Sequence, residues 1–103
     1  MNALLLYQRG TRIHHIERSL KYENIAWESQ CCDADFSDTD VLGNVDFVVL
    51  YALPHPLLRA VMPHLRKEKP QLSLFVIEKN FSEEIAAYVT SLGGDGYFAE
   101  PLE

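Results

Sequence analysis

Residues 45–65, VDFVVLYALPHPLLRAVMPHL, contain a strand and a helix joined by a short proline-marked turn. The segment 45–50 is almost continuously apolar, which is typical of a parallel strand covered on both faces. Pro54-His55-Pro56 then marks a helix start, because proline is favoured at the first helical position. The apolar stripe of the predicted helix consists of Leu57, Leu58, Val61 and Leu65. This stretch therefore predicts one strand–turn–helix unit, with a bend at Pro63.

The same alternation of strand and helix signals continues in both directions along the chain. Further strands are predicted at 3–7, 25–30, 72–77 and 96–99. Further helices are predicted at 11–23, over a short segment at 38–43, and after Asn80, where Glu83 completes a capping box. The apolar face of that last helix would carry Phe81, Ile85, Tyr88 and Leu92, and Gly93-Gly94 would close it. Regular alternation with apolar strands predicts an α/β fold, a doubly wound parallel sheet with helices on both faces.

Composition excludes several classes of function. The chain has 103 residues, 48% of them hydrophobic, which is typical of one globular domain. Its net charge of −6 argues against direct binding of a nucleic-acid backbone. The sequence shows neither an apolar run long enough for a membrane span nor a signal peptide. The adjacent Cys31 and Cys32 fit a reduced, cytoplasmic protein without disulfides.

A binding site in such a fold lies at the carboxyl ends of the strands. The residues at those ends are Tyr7, Gln8 and Arg9; Leu50, Tyr51 and Ala52; Ile77, Glu78 and Lys79; and Ala99, Glu100 and Pro101. We therefore look for the functional site among these residues.

The sequence resembles the receiver domain of bacterial response regulators over nearly its whole length. Residues 92–101, LGGDGYFAEP, parallel that family's acidic glycine turn, aromatic strand and Lys-Pro. Residues 45–50 parallel its third strand, Leu53-Pro54 the Leu-Pro after its phosphorylated aspartate, and 65–70 the end of its third helix. The resemblance implies a flavodoxin-like five-stranded parallel sheet in the order 2-1-3-4-5.

The residues at the family's phosphorylation pocket differ in this chain. The two metal-binding acids correspond to Gln8 and Arg9, and the phosphate-accepting aspartate corresponds to Tyr51. The conserved Thr or Ser corresponds to Glu78, and the lysine to Glu100, next to Pro101. An amide and a cation do not replace two anionic ligands of Mg²⁺, and a phenol does not replace a carboxylate nucleophile.

These substitutions predict a degenerate pocket. We expect no metal, no cofactor and no aspartyl phosphorylation, because two carboxylates would repel a phosphoryl group. Arg9 is expected to pair with Glu78 or Glu100 and to fill the space of the metal. Tyr51 is expected to fill the vacated pocket.

The resemblance implies a pseudo-receiver, a regulatory domain that acts through a protein partner or a homodimer in two-component signal transduction. Transcription control and DNA contact would come only through a separate output domain. One alternative is a small α/β enzyme or ligand-binding domain in which Glu78 and Glu100, if close, form an acid–base pair with at least one strongly raised pKa. Another is a receiver phosphorylated on a displaced acid, Asp33 or Asp46.

The family's final helix would follow Pro101 and is expected to be missing or truncated. We therefore assign the receiver-like domain to residues 1–101. Leu102-Glu103 would be a cloning remnant or the start of that helix. An uncovered sheet face would favour association.

Two further groups of residues have ordinary structural interpretations. His14, His15 and His64 are expected on helix surfaces, and His55 in a turn. Arg66, Lys67 and Lys69 form the one basic cluster, which suits the last turn of a helix better than nucleic acid.

Overall fold

Residues 2–31 and 43–100 are described by a computed structural model, and within them five parallel strands form one sheet. The strands are β1 (Asn2–Tyr7), β2 (Ala26–Cys31), β3 (Phe47–Tyr51), β4 (Ser73–Glu78) and β5 (Gly96–Ala99). The helices are α1 (His14–Tyr22), α2 (His55–Glu68) and α3 (Glu83–Ser91). The order β2-β1-β3-β4-β5 confirms the predicted flavodoxin-like arrangement.

The sheet buries apolar side chains on both faces. One face packs against α2 and α3 through Leu4, Leu6, Val48, Leu50, Leu74 and Val76. The other packs against α1 through Ala3, Leu5, Val49 and Tyr51. Successive residues of β1 and β3 thus enter opposite cores, which is why these strands are apolar throughout rather than alternating.

Several element boundaries differ from the sequence-based prediction. Helix α1 begins at His14 instead of residue 11, because the Thr11 N–H closes a turn on the Gln8 carbonyl at 3.0 Å. Gly10 gives that turn its left-handed backbone, with φ +87°. Strand β3 begins at Phe47 instead of residue 45. The short helix predicted over 38–43 lies outside the described residues, apart from Gly43.

Helix α2 continues through Pro63 as one helix from His55 to Glu68, and the predicted bend at this residue stays a prediction. Proline lacks the N–H that would bond to the carbonyl of residue 59, four positions earlier. The Tyr88 hydroxyl of α3 donates to that Arg59 carbonyl at 3.2 Å instead. The Arg59 guanidinium also lies 4.7 Å from the centre of the Tyr88 ring. The neighbouring helix thus supplies the hydrogen bond that the proline removes.

Helix α3 starts two residues later than the capping box predicted. Ser82, rather than Asn80, is the N-cap, and its hydroxyl accepts the N–H of Ile85 at 3.3 Å. Phe81 therefore precedes the helix and is 64% exposed, although it was predicted on the apolar face. Ile85 and Val89, four residues apart, are the buried residues of α3.

Most of the predicted basic cluster serves the fold. The Arg66 guanidinium donates to the carbonyls of Pro70, Leu72, Leu92 and Gly93. Lys69 donates to the Val45 carbonyl at 2.8 Å, and Lys67 is exposed.

His64 is half-buried, not exposed as predicted, and its Nε2 is buried with no hydrogen-bond partner among residues 2–31 and 43–100.

Candidate functional site

The carboxyl ends of four strands lie side by side at one edge of the sheet. In the strand register, Tyr51 pairs with Tyr7 on one side and with Ile77 on the other. Glu78 pairs with Ala99, and the Glu100 N–H donates to the Glu78 carbonyl at 2.8 Å. The polar residues that follow these strands therefore share one edge, as the sequence predicted.

Tyr51, Glu100 and His15 form a hydrogen-bonded cluster at this edge. The Tyr51 side chain is buried, with 1% of its surface exposed, and its hydroxyl donates to Glu100 Oε1 at 2.5 Å. His15 Nε2 lies 2.9 Å from the same oxygen and 3.1 Å from the Tyr51 hydroxyl. Because the Tyr51 hydroxyl donates its proton to the carboxylate, we assign a hydrogen to His15 Nε2, which makes His15 the donor in its contacts with Glu100 and Tyr51. The cluster joins β3, α1 and the end of β5.

The environment of this cluster keeps the phenol neutral and the carboxylate charged. Burial, and next the hydrogen bond to Glu100, raise the pKa of Tyr51 far above its ordinary value of 10.0. The Tyr51 hydrogen bond, followed by that of His15, lowers the pKa of Glu100 from 4.5, while burial opposes the change. Tyr51 is therefore a hydrogen-bond donor at neutral pH and not a nucleophile.

A second cluster of the same composition surrounds Glu78. His55 Nε2 lies 2.7 Å from Glu78 Oε2, and the Tyr97 hydroxyl donates to Glu78 Oε1 at 2.8 Å. The Tyr97 hydroxyl also accepts the Ser82 N–H at 3.0 Å. Burial, and then the bond to Glu78, raise the pKa of Tyr97. Glu78 is 7% exposed, so its two carboxylate oxygens are hydrogen-bonded to His55 and Tyr97 instead of to water.

A cavity of about 480 Å³ opens beside the second cluster. Residues 52–55, which connect β3 to the first residue of α2, and residues 78–82, which run from the end of β4 to the N-cap of α3, form its walls. Ala52 in the first loop has φ +52°, a left-handed conformation that is costly for a residue with a side chain. Such strain is concentrated at functional sites in proteins. The cavity lies within the size range of small-molecule sites.

The structure places the other predicted residues of the pocket as follows. Gln8 is half-buried in the turn after β1, and Arg9 is exposed beside it. The partners described above for Glu78 and Glu100 are a histidine and a tyrosine each, so pairing with Arg9 stays a prediction. Pro101 and Asp33 lie outside the described residues. Asp46 accepts the Asn2 N–H at 2.7 Å at the amino end of the sheet, far along the strand from this edge.

Three residues of the two clusters were missed in the sequence. His15 and His55 were interpreted as surface and turn residues, and Tyr97 as a strand residue only. Their partners are 85, 23 and 19 positions away, so local spacing gave no signal. The position of Tyr97 two residues before the end of β5 could have placed it near the edge, but not its hydrogen bond.

The acid–base alternative predicts that Glu78 and Glu100 act as a pair with at least one raised pKa. Each side chain instead belongs to its own histidine–tyrosine cluster. The pKa of Glu100 is lowered, which is opposite to the change that an acid catalyst needs at neutral pH. Within the described ranges, no three His, Cys, Asp or Glu side chains come together in a way that would hold a metal ion.

Solved structures of similar architecture identify the fold. A Burkholderia thailandensis protein described as a pilus assembly protein shares 17% identity at a TM-score of 0.79, over 100% of this chain and 88% of its own. The receiver domain of HemR from Leptospira biflexa shares 16% identity at a TM-score of 0.71, over 100% and 85%. This chain has the fold of a response-regulator receiver domain.

A further receiver-fold neighbour is the chemotaxis protein CheY4 of Vibrio cholerae, with 14% identity and a TM-score of 0.71 over 100% of this chain and 89% of that one. No protein-family model and no curated protein sequence matches the chain. On the receiver fold, the end of the third strand is occupied by the buried Tyr51. Among residues 2–31 and 43–100, no helix has the length and apolar character needed to cross a membrane.

Proposed function

We propose that this chain is a pseudo-receiver, a cytoplasmic regulatory domain that does not use aspartyl phosphorylation and is not an enzyme. It would act by contact with a protein partner or with a second copy of itself, in two-component signal transduction. A role in transcription, and any contact with DNA, would require a separate output domain. The receiver fold and the composition of the strand-end edge support this proposal.

The observation that carries the proposal is the state of Tyr51. A phosphate acceptor must be reachable and nucleophilic, whereas this side chain is buried and its hydroxyl donates to Glu100. Its raised pKa makes the phenolate inaccessible at neutral pH. The protein itself therefore supplies the hydrogen bonds that tie β3, α1 and the end of β5 together.

The same cluster argues against a Mg²⁺ site. Magnesium needs anionic oxygens in a near-octahedral arrangement. At this edge Glu100 Oε1 already accepts hydrogen bonds from Tyr51 and His15, and both oxygens of Glu78 are engaged in the second cluster. The donor set does not fit the metal that phosphorylated receivers use.

Two modes of action are compatible with the proposal. The domain is either fixed in one state, as a constitutive docking unit, or shifted between states by a ligand or partner at the strand-end edge.

Acetyl phosphate with Mg²⁺, followed by intact-protein mass spectrometry, tests the proposal. We expect the unmodified chain alone, while a receiver with its aspartate, treated in parallel, becomes phosphorylated. A phosphorylated species would contradict the proposal. If Asp46→Asn or Asp33→Asn then abolished the modification, the displaced-acid alternative would be correct.

A further inference from the structure

We propose that the cavity between the loops after β3 and β4 binds a small carboxylate that carries a flat apolar group. The inference deepens the proposed function, because it rests on the mode in which a ligand at the strand-end edge shifts the domain. It is carried by three features of the cavity: an oriented histidine, an exposed cation and an apolar rim.

The histidine is His55, whose side chain is 43% exposed at the cavity while that of Glu78 is 9% exposed. Glu78 holds Nε2 at 2.7 Å, so Nδ1 is the ring nitrogen that a ligand can reach. The second oxygen of Glu78 accepts the Tyr97 hydroxyl, which fixes the carboxylate and therefore the imidazole ring. When both ring nitrogens carry a hydrogen, Nε2–H donates to Glu78 and Nδ1–H is the donor that an incoming carboxylate would accept.

The charges around the cavity favour an anion. The exposed Lys79 lines it, and the charge of the one carboxylate in its wall, Glu78, is directed at His55 and Tyr97. Of the two acids in the first turn of α3, Glu84 is paired with Arg59 at 2.7 Å, and Glu83 is exposed and does not line the cavity. An ammonium and the Nδ1–H of an imidazolium are together suited to a carboxylate, whereas a cationic ligand would meet Lys79.

The rim of the cavity supplies an apolar surface. Phe81 is 64% exposed, which is unusual for a phenyl ring, and its edge packs against Tyr97 with ring centres 5.8 Å apart. The exposed Pro54 lines the same cavity from the other loop. A flat apolar group is expected to lie against these rings, since aromatic contacts favour stacked or edge-on arrangements.

Phenylacetate is a suitable probe, followed by amide NMR titration of the full chain. We expect shifts at His55, Lys79 and Phe81 that saturate with a Kd of about 1–10 mM, as usual for a ligand of this size. Benzylamine, of the same shape but opposite charge, should cause none. Lys79→Gln should weaken the binding of phenylacetate about threefold to tenfold. It should leave the binding of benzyl alcohol, an uncharged ligand of the same shape, unchanged. Phe81→Ala should weaken both.

Lys21→Gln and Phe98→Ala are matched controls, because both residues are exposed and lie away from the cavity. The inference is overturned if phenylacetate shifts no amide of the cavity, if benzylamine binds equally well, or if the controls weaken binding as much as Lys79→Gln. Such a failure leaves the proposed function intact, since that proposal is contradicted by phosphorylation or by binding of a phosphoryl mimic and not by an empty cavity.

Discussion

The hydroxyl of Tyr51 donates to Glu100 Oε1 at 2.5 Å, across the strand-end edge where a receiver domain would hold its phosphoryl group. The donor is buried at the end of β3, and the acceptor follows β5. A contact between neutral donor and carboxylate is stronger than one between neutral groups. It gives the buried hydroxyl a charged hydrogen-bond partner within the protein.

Removal of this hydrogen bond should destabilise the domain. Tyr51→Phe keeps the ring in the core but leaves Glu100 with His15 alone. We expect the free energy of unfolding to fall by about 1–2 kcal/mol, because the carboxylate side chain is only one quarter exposed. Urea unfolding measures the change. Tyr22→Phe, at an 84% exposed position, is the control and should leave stability unaltered. Equal stability of all three chains would show that the bond contributes nothing.

The lowered pKa of Glu100 should make stability depend on pH in the acid range. Hydrogen bonds from Tyr51 and then His15 lower this pKa from 4.5. A folded-state pKa below the unfolded one stabilises the fold above the unfolded value, and that contribution is lost as pH falls through the folded value. We therefore expect Glu100→Gln to flatten the decline of unfolding free energy below about pH 4.5.

Urea titrations at a series of acid pH values check this expectation. Glu23→Gln, at an exposed position, serves as control and should decline as the native chain does. If the unfolding free energy of the Glu100→Gln variant declined just as steeply with falling pH, the lowered pKa of Glu100 would not contribute to the stability of the fold.

The Arg59 carbonyl should be the centre of an energetic coupling between Pro63 and Tyr88. Pro63→Ala restores a main-chain N–H to this carbonyl and should stabilise the domain by about 1–2 kcal/mol. Tyr88→Phe should lower the free energy of unfolding by about 0.5–1 kcal/mol in the native chain. In a chain that already carries Pro63→Ala, the same change should have almost no effect. A double-mutant cycle measures the difference, and strictly additive effects would contradict the explanation of the unbroken helix.

Arg66 should be important for stability rather than for binding. Its guanidinium holds four main-chain carbonyls at the ends of α2 and α3. We expect Arg66→Ala to lower the unfolding free energy by about 2–3 kcal/mol, and Arg66→Lys to recover little, because one ammonium cannot span these acceptors. Lys67→Ala is the exposed neighbour and should stay within about 0.5 kcal/mol. Similar effects of Arg66→Ala and Lys67→Ala would refute this role.

The fold could be predicted because a strand that is buried on both faces of a sheet needs apolar residues at successive positions, and such runs are visible in the sequence. The apolar strand at 45–50 and its counterparts alternate with helices, and this pattern fixes a parallel sheet. The positions of Tyr51, Glu78 and Glu100 followed, since strand ends meet at one edge. Helix starts were less predictable: Ser82 and Asn80 are both capping residues by type, and only the contacts of α3 select Ser82.

The hydrogen-bonded clusters could not be predicted by the same means. His15 lies on a helix that crosses over the sheet, and its partner Glu100 is 85 residues away. Sequence spacing correctly placed His15 on an exposed helix surface but gave no sign of its hydrogen bonds to Glu100 and Tyr51. The support of Pro63 by Tyr88 is likewise set by packing between two helices rather than by any local motif.

The measurement that tests the account most directly is an amide NMR titration with Mg²⁺ and beryllofluoride, the mimic of an aspartyl phosphate. If the Tyr51–Glu100–His15 cluster occupies the phosphoryl position, the amides of Gln8, Tyr51, Glu78 and Glu100 will not move. Saturable shifts concentrated at these four residues would show instead that the edge still accepts a phosphoryl group, and the pseudo-receiver assignment would be wrong.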